Sequence, residues 1–263
     1  MAGYHRGGGA VYWNHPYSTH IGCKKVSEAC AHCYAEAVCK RFDMNKNGTF
    51  EPKKVENARK MPKKGVVFVD NMTDFMGEWL TDEEVCGIVE KCRSGIEHDR
   101  VSLFLTKRAK RYDSVHVFQQ RLDKELGYCN SYFGVTAENQ ERWNERKASL
   151  CRLRERGFKT WVSVEPLLGY VDLCLTNLSK SYCPNFVVVG AESGSERRPC
   201  DIEWVREVVK ECKYCGVPVF VKQLDINGRL VTDINEFPED LRIRKRPWGD
   251  KYDKTKKDRE ESK

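Results

Sequence analysis

Short apolar runs alternate with amphipathic stretches along most of the chain. The runs are Val66 to Asp70, Val101 to Thr106, Tyr132 to Thr136, Trp161 to Glu165, Phe186 to Gly190 and Val217 to Lys222. Most are near-continuously apolar rather than alternating, the pattern of parallel strands covered on both faces. A shorter extended stretch, Ala10 to Asn14, precedes them. Between the runs the period changes to that of helices. Thr81-Asp82-Glu83-Glu84 is a capping box, followed by Val85, Ile88, Val89 and Cys92 on one face. Asp201 can cap a helix carrying Trp204, Val205, Val208, Val209 and Cys212, with Gly216 as its stop. Asn139 or a neighbour opens another, bearing Trp143, Leu150 and Leu153 and ending near Gly157. Residues 109–125 read as a fourth helix.

Alternating strand and helix predicts an α/β fold around a parallel sheet. The candidates are a full or partial parallel β/α (TIM-like) barrel, as a single domain, and a doubly wound open sheet. Each strand ends in polar residues: Asp70-Asn71, Thr106-Lys107-Arg108, Thr136-Ala137-Glu138, Glu165, Glu192-Ser193 and Lys222-Gln223. A barrel mouth gathers all such ends into one site, whereas an open sheet gathers those near its switch point. The barrel is therefore the preferred reading. It spans residues 10–240, with a flexible N-terminus over 1–9 and a charged tail over 241–263 that is expected to fray from about Lys245.

Composition narrows the class. At 40% hydrophobic and 32% charged, the chain is too apolar for a disordered protein, and no stretch approaches the ~18 apolar residues of a membrane span. Met1 to Ala10 lacks the apolar run of a secretory signal, so a cytoplasmic protein with no membrane partner is expected. The 263 residues hold 13 cysteines, an odd number in a chain long enough to build a core without staples. Reduced thiols, some of them metal-binding, are the expected state. The net charge of +7 permits a polyanionic partner without requiring one.

The sharpest local signal is Cys23-x6-Cys30-x2-Cys33, on a loop between the first extended stretch and a helix from Tyr34 to about Phe42. Three thiolates on one loop can hold three irons of a [4Fe–4S] cluster and leave the fourth open. The helix N-terminus favours the negative charge of such a group. Zinc is the competing reading, with Cys30 and Cys33 as half a knuckle and Cys212-x2-Cys215 as the other half. The halves lie far apart in sequence, and Cys212 falls on the apolar face of its helix. Cys39 lies about 240° round the helix from Cys33 and points elsewhere.

Other residues are open to two readings. Thr106-Lys107-Arg108 is either a cation pair for a carboxylate or phosphate, or a salt-bridged helix start. Glu165 ends an apolar strand, where a carboxylate is costly unless paired, with Lys107 for example, or placed in a site. Gly190-Ala191-Glu192-Ser193-Gly194 is a flexible turn after a buried strand that can let backbone approach a ligand. Lys222-Gln223 is either part of the site or a solubilising strand end. Trp143 and Trp204 read as core.

Seven ordered blocks carry a resemblance. They are Trp13-Asn14, Gly22-Cys23, Cys30-x2-Cys33-Tyr34-Ala35-Glu36, Thr106-Lys107-Arg108, Val164-Glu165-Pro166-Leu167-Leu168-Gly169, Gly190-Ala191-Glu192-Ser193-Gly194 and Val217-Pro218-Val219-Phe220-Val221-Lys222-Gln223. Together they resemble the phage and prophage gp-thirty-seven/gp-sixty-eight-like family, a domain of unknown function, over residues ~10 to ~240. That family is more distantly similar to the radical S-adenosylmethionine (SAM) enzymes, spore photoproduct lyase among them. The resemblance implies that Cys23, Cys30 and Cys33 ligate a [4Fe–4S] cluster whose open iron chelates SAM. An external electron donor would reduce the cluster, and cleavage of SAM would yield a 5′-deoxyadenosyl radical. Tyr34 and His32 would shield the cluster from water. The first cysteine gap is x6 where most of the superfamily has x3. The Gly-Gly-Glu stretch that often meets the SAM amino group is replaced by Asp70-Asn71-Met72-Thr73-Asp74, so Asn71, Thr73 or Asp74 would take that role. Lys107, Glu165 and Glu192 complete the candidate cofactor-binding residues, Glu165 toward the ribose or adenine. A nucleotide or nucleic-acid base is the substrate suggested by kinship and charge. The alternative is a non-catalytic nucleic-acid binding protein in which the triplet holds zinc or a structural cluster.

Overall fold

The computed structural model describes residues 11–44, 48–56, 58, 60–92, 99–122, 130–177 and 182–252. The flexible segment expected over 1–9 lies outside them, as do Cys129 and the tail beyond 252. In chain order the elements are β1 (His15–Tyr17), β2 (His20–Ile21), α1 (Tyr34–Arg41), β3 (Lys53–Lys54), β4 (Gly65–Val69), α2 (Asp82–Lys91), β5 (Arg100–Thr106), α3 (His116–Gln119), β6 (Ser131–Thr136), α4 (Gln140–Glu155), β7 (Lys159–Val164), β8 (Phe186–Gly190), α5 (Ile202–Cys215), β9 (Val219–Ile226) and β10 (Arg229–Val231).

One sheet runs β1-β4-β5-β6-β7-β8-β9-β10, parallel throughout except for the antiparallel β9–β10 pair. Strands follow one another in sequence order, with no switch point, so the doubly wound alternative is set aside. Among the described residues β1 and β10 do not pair, and the sheet is an open half-barrel rather than the full barrel that the sequence also allowed. Its curl is visible in one side chain. The Tyr12 ring lies 6.3 Å from that of Phe68 on β4 and 5.8 Å from that of Phe220 on β9. In a flat sheet those strands would stand about 24 Å apart, five spacings of ~4.8 Å.

The two faces of the sheet have separate cores. Val67, Phe104, Phe133, Val162, Val187 and Val221 face outward onto α2, α4 and α5. Phe68, Leu103, Tyr132, Trp161, Phe186 and Phe220 face inward around Tyr12. The caps expected from sequence hold. Thr81 and Glu84 form a reciprocal capping box, Asn139 and Asp201 accept backbone N–H groups, and Gly216 ends α5 at φ 69°.

Four expectations need correction. The first strand is His15–Tyr17, just after the predicted stretch. The fourth helix is a 3-10 turn, Ala109–Asp113, followed by the short α3, and Gln120 is extended. Its buried residues Ala109, Tyr112, Val115 and Phe118 recur every third position, the 3-10 repeat rather than the α repeat. The last strand continues past Lys222 to Ile226 and returns through an Asn227-Gly228 turn with φ of 53° and 74°, the geometry of a type I′ hairpin. Finally, residues 241–252 do not fray. Ile243 and Lys245 bond to β9, Trp248 packs on Tyr132 and Phe186 at 5.5 and 5.3 Å, and Lys251 and Tyr252 both donate to Asp99. The segment closes the lower end of the half-barrel.

Candidate functional site

A cavity of about 420 Å³ opens at the C-terminal ends of the parallel strands. Period-two alternation builds its walls. On five strands the inward face ends in polar residues above the aromatic floor: Asp70 after β4, Lys107 after β5, Thr136 on β6, Ser163 and Glu165 at β7, and Lys222 on β9. Tyr12, Trp13 and Phe68 form the floor. The nine residues proposed from sequence as metal or cofactor ligands all line this one cavity: Cys23, Cys30, Cys33, Asn71, Thr73, Asp74, Lys107, Glu165 and Glu192. Among the described cysteines, Cys23, Cys30 and Cys33 alone line it.

The cysteine loop is pinned at both ends. Gly22 donates to the Met72 carbonyl (3.0 Å), Thr73 Oγ1 donates to the Gly22 carbonyl (2.6 Å), and Cys23 N–H donates to Phe50 on the segment leading to β3 (3.0 Å). Gly22 sits at φ 93°, and a Cβ there would lie 2.1 Å from the Glu51 carbonyl oxygen, so a side chain is excluded. Cys30 closes a 3-10 turn, Glu28–Cys30, and Cys33 is the N-cap of α1. The Arg108 guanidinium clamps the loop to the sheet. Its Nε donates to Glu78 (2.8 Å), its Nη1 to Asp74 (3.0 Å) and its Nη2 to the Lys24 carbonyl (2.9 Å), and Nη1 lies 3.9 Å from Cys23 Sγ. The other flank is tied through Glu192, which accepts from Arg198 N–H and Nε (2.9 Å each) and contacts His32 Nδ1 (3.2 Å). Arg198 also donates to the Glu28 carbonyl (3.1 Å).

These contacts separate anchoring residues from those with free groups. Asp74 takes Met76 N–H, Thr106 Oγ1, Lys107 N–H and Arg108, so its carboxylate is committed to the loop and strand ends. Thr73 holds Gly22, Glu192 holds Arg198 and His32, and Asn71 accepts from Ser18 (3.0 Å) while its carbonyl accepts from Tyr34 (2.5 Å). Glu165 pairs with Lys222 rather than with Lys107. Gln223 bonds the Ala191 carbonyl (2.7 Å) and is buried, so it fastens the glycine-flanked turn instead of solubilising a strand end. Lys107 forms no salt bridge among the described residues. Thr136 Oγ1 is buried on the cavity wall without a hydrogen-bond partner among the described residues.

Electrostatics differ along the loop. Burial pushes the Cys23 thiol up to about 12, against the pull of Arg108. At Cys30 burial acts the same way, but Lys107 and the hydrogen bonds of Val26 and Ser27 outweigh it, and the thiol falls below its ordinary value. Burial lifts Asp70 to about 6 although Thr19 donates to it twice. At Glu192 burial is outweighed by Arg198 and His32, which hold the carboxyl low. Among the described residues, no three His, Cys, Asp or Glu side chains are already gathered at the separation of a single ion's ligands.

A family model, described as a protein of unknown function (DUF5131), matches residues 9–259. The chain belongs to the DUF5131 family. No curated protein and no solved structure matches it. For this DUF5131 member the site is therefore read from its own geometry. Sequence reasoning missed Tyr12, Ser163 and the bracing role of Arg108 and Arg198, and it named Thr136 as a polar strand end without giving it a role in the site. Thr136 and Ser163 were within reach, because alternation from Tyr132 and Trp161 puts them on the inward face. The arginine braces carry no local signal, since each reaches a segment distant in sequence.

Proposed function

We propose that Cys23, Cys30 and Cys33 hold a [4Fe–4S] cluster with one iron open to SAM, and that the chain starts radical chemistry on a substrate at the cavity mouth. One observation carries the reading: three free thiols from a single braced loop line one ligand-sized cavity, and no fourth described cysteine does. The donor set fits such a group. Cys33 stands at a helix N-terminus, and Lys107 and Arg108 flank the loop, so positive charge faces the thiolates. Bound and reduced, the cluster would supply one electron to the sulfonium of SAM. The remaining work falls to the chain. Lys107 offers an unshared ammonium to a carboxylate. Thr136 offers a desolvated hydroxyl that gains a partner when ligand enters. Glu165 keeps one carboxylate oxygen beyond its bond to Lys222 for ribose hydroxyls. His32 and Tyr34, tied to Glu192 and Asn71, screen the loop from water.

Anaerobically purified protein should contain about four irons and four sulfides per chain. With dithionite and SAM it should release 5′-deoxyadenosine, and Cys33→Ala should abolish both. Colourless protein with stoichiometric zinc would overturn the proposal in favour of a metal-bearing binding module. Iron-replete protein that leaves SAM intact would remove the radical chemistry.

A further inference from the structure

Basic residues gather on the segment that carries the cysteine loop and leads into the β2–β3 ladder. Residues 20–54 hold seven Lys and Arg against four Asp and Glu. The described part of this stretch forms a lobe in which α1 packs on Met72, Ile21 and Phe50, joining the cysteine loop to the β2–β3 ladder. Lys25 and Lys40 share Glu36 at 3.1 and 2.7 Å. Lys24, Arg41, Lys53 and Lys54 are exposed and form no salt bridge among the described residues. Lys53 and Lys54 stand opposite Ile21 and His20, just ahead of Cys23 in the chain, and Lys24 follows Cys23 directly.

Apolar surface is interleaved with these cations. Phe42 is 59% exposed, with the Arg41 guanidinium 5.6 Å over its ring. Val26 and Tyr34, 40% and 43% exposed, line the cavity where it opens. Exposed cations accompanied by exposed rings, as at Arg41 and Phe42, match a chain of phosphates carrying flat bases. A lipid surface would call for a broader continuous apolar face. A single strand fits better than a duplex, because its bases are free to meet Phe42 and Tyr34 and one of them can turn toward the opening.

We propose that this lobe binds single-stranded polynucleotide, with phosphates on Lys24, Arg41, Lys53 and Lys54 and one nucleotide presented at the cavity mouth. The assignment names the substrate class of the proposed function. It rests on that reading for the fate of the nucleotide and not for the binding.

The test is fluorescence anisotropy of the anaerobically purified full chain with labelled oligo-dU and oligo-U of about 20 nucleotides. Log affinity should fall against log salt with a slope of about −3 for four phosphate contacts. The double reversal Lys53→Glu with Lys54→Glu should weaken binding at least about tenfold. The same charge change on α5, Lys210→Glu with Lys213→Glu, should alter it less than about twofold. Phe42→Ser should weaken binding while leaving the salt slope unchanged. A difference between the two oligonucleotides assigns the strand's sugar, and equal binding supports the shared phosphate-and-base chemistry. The proposal is overturned if both double reversals bind alike, if affinity ignores salt, or if the Lys53/Lys54 reversal releases phosphatidylserine vesicles but not the strand. Release of 5′-deoxyadenosine without any strand tests the cluster alone, and strand binding that survives Cys33→Ala tests the lobe alone.

Discussion

Gly22 and Asp70 show how single residues hold the loop at a cost. Gly22→Ala would place a methyl against backbone at a left-handed φ, a strain of about 1–3 kcal/mol. The expected outcome is a lowered Tm together with reduced iron per chain after anaerobic reconstitution. Asp70 is held in burial with its pKa raised from 3.8 to about 6. A carboxyl raised on folding favours the protonated folded state, so its contribution is fully present below pH 3.8 and is lost as pH rises through about 6. The loss is about 3 kcal/mol over that window. Denaturant titrations of wild type and Asp70→Asn at pH 4 and pH 7 should show a stability difference that shifts in the variant's favour at the higher pH. A pH-independent difference would contradict it. At this scale the cavity lining was legible, since cysteine spacing and polar strand ends mark it directly. The division into braces and free groups was not. Asp74 and Glu192 read as ligand-facing carboxylates until their partners, Arg108 and Arg198, are seen to occupy them.

Elements were legible in proportion to the regularity of their period. The long strands and the capped helices α2, α4 and α5 carry their own start and stop signals, and they fall where the pattern puts them. The two-residue strands β2 and β3 have no period to read, and they form because the cysteine loop and the Phe50 segment share hydrogen bonds. The 3-10 turn after β5 reads as α-helix from sequence because three and 3.6 diverge little over one turn. Its place matters, since it begins directly after Arg108, the residue that joins loop to sheet. Arg108→Lys keeps the charge but loses the fork that meets Glu78, Asp74 and the Lys24 carbonyl at once. The variant should fold with stability reduced by about 1–3 kcal/mol. It should also lose iron several-fold faster to a chelator, which a purely structural defect elsewhere, such as Gly216→Ala at the end of α5, would not produce.

For the whole molecule, the parallel α/β class follows from alternating elements, but closure does not. A half-barrel and a full barrel present the same inward alternation, and what distinguishes them is the material that fills the open side. Here Tyr12 enters from the N-terminal side and residues 241–252 cross beneath, bringing Trp248 against Tyr132 and Phe186. The charged composition of that segment hid its anchors, Ile243, Trp248 and Tyr252. Trp248→Ala should cost about 2 kcal/mol by opening the inner aromatic cluster, measured as a shift in denaturation midpoint with the m-value unchanged. A neutral result would mean that the segment covers the sheet without stabilising it. The central claim, a cluster held by three thiolates with one iron left for SAM, is tested most directly by low-temperature EPR of the dithionite-reduced protein with and without SAM. The account predicts a reduced-cluster signal that changes on addition of SAM and shows hyperfine coupling to an isotopically labelled methionyl carboxylate. A signal indifferent to SAM, or protein that binds no iron, would contradict it.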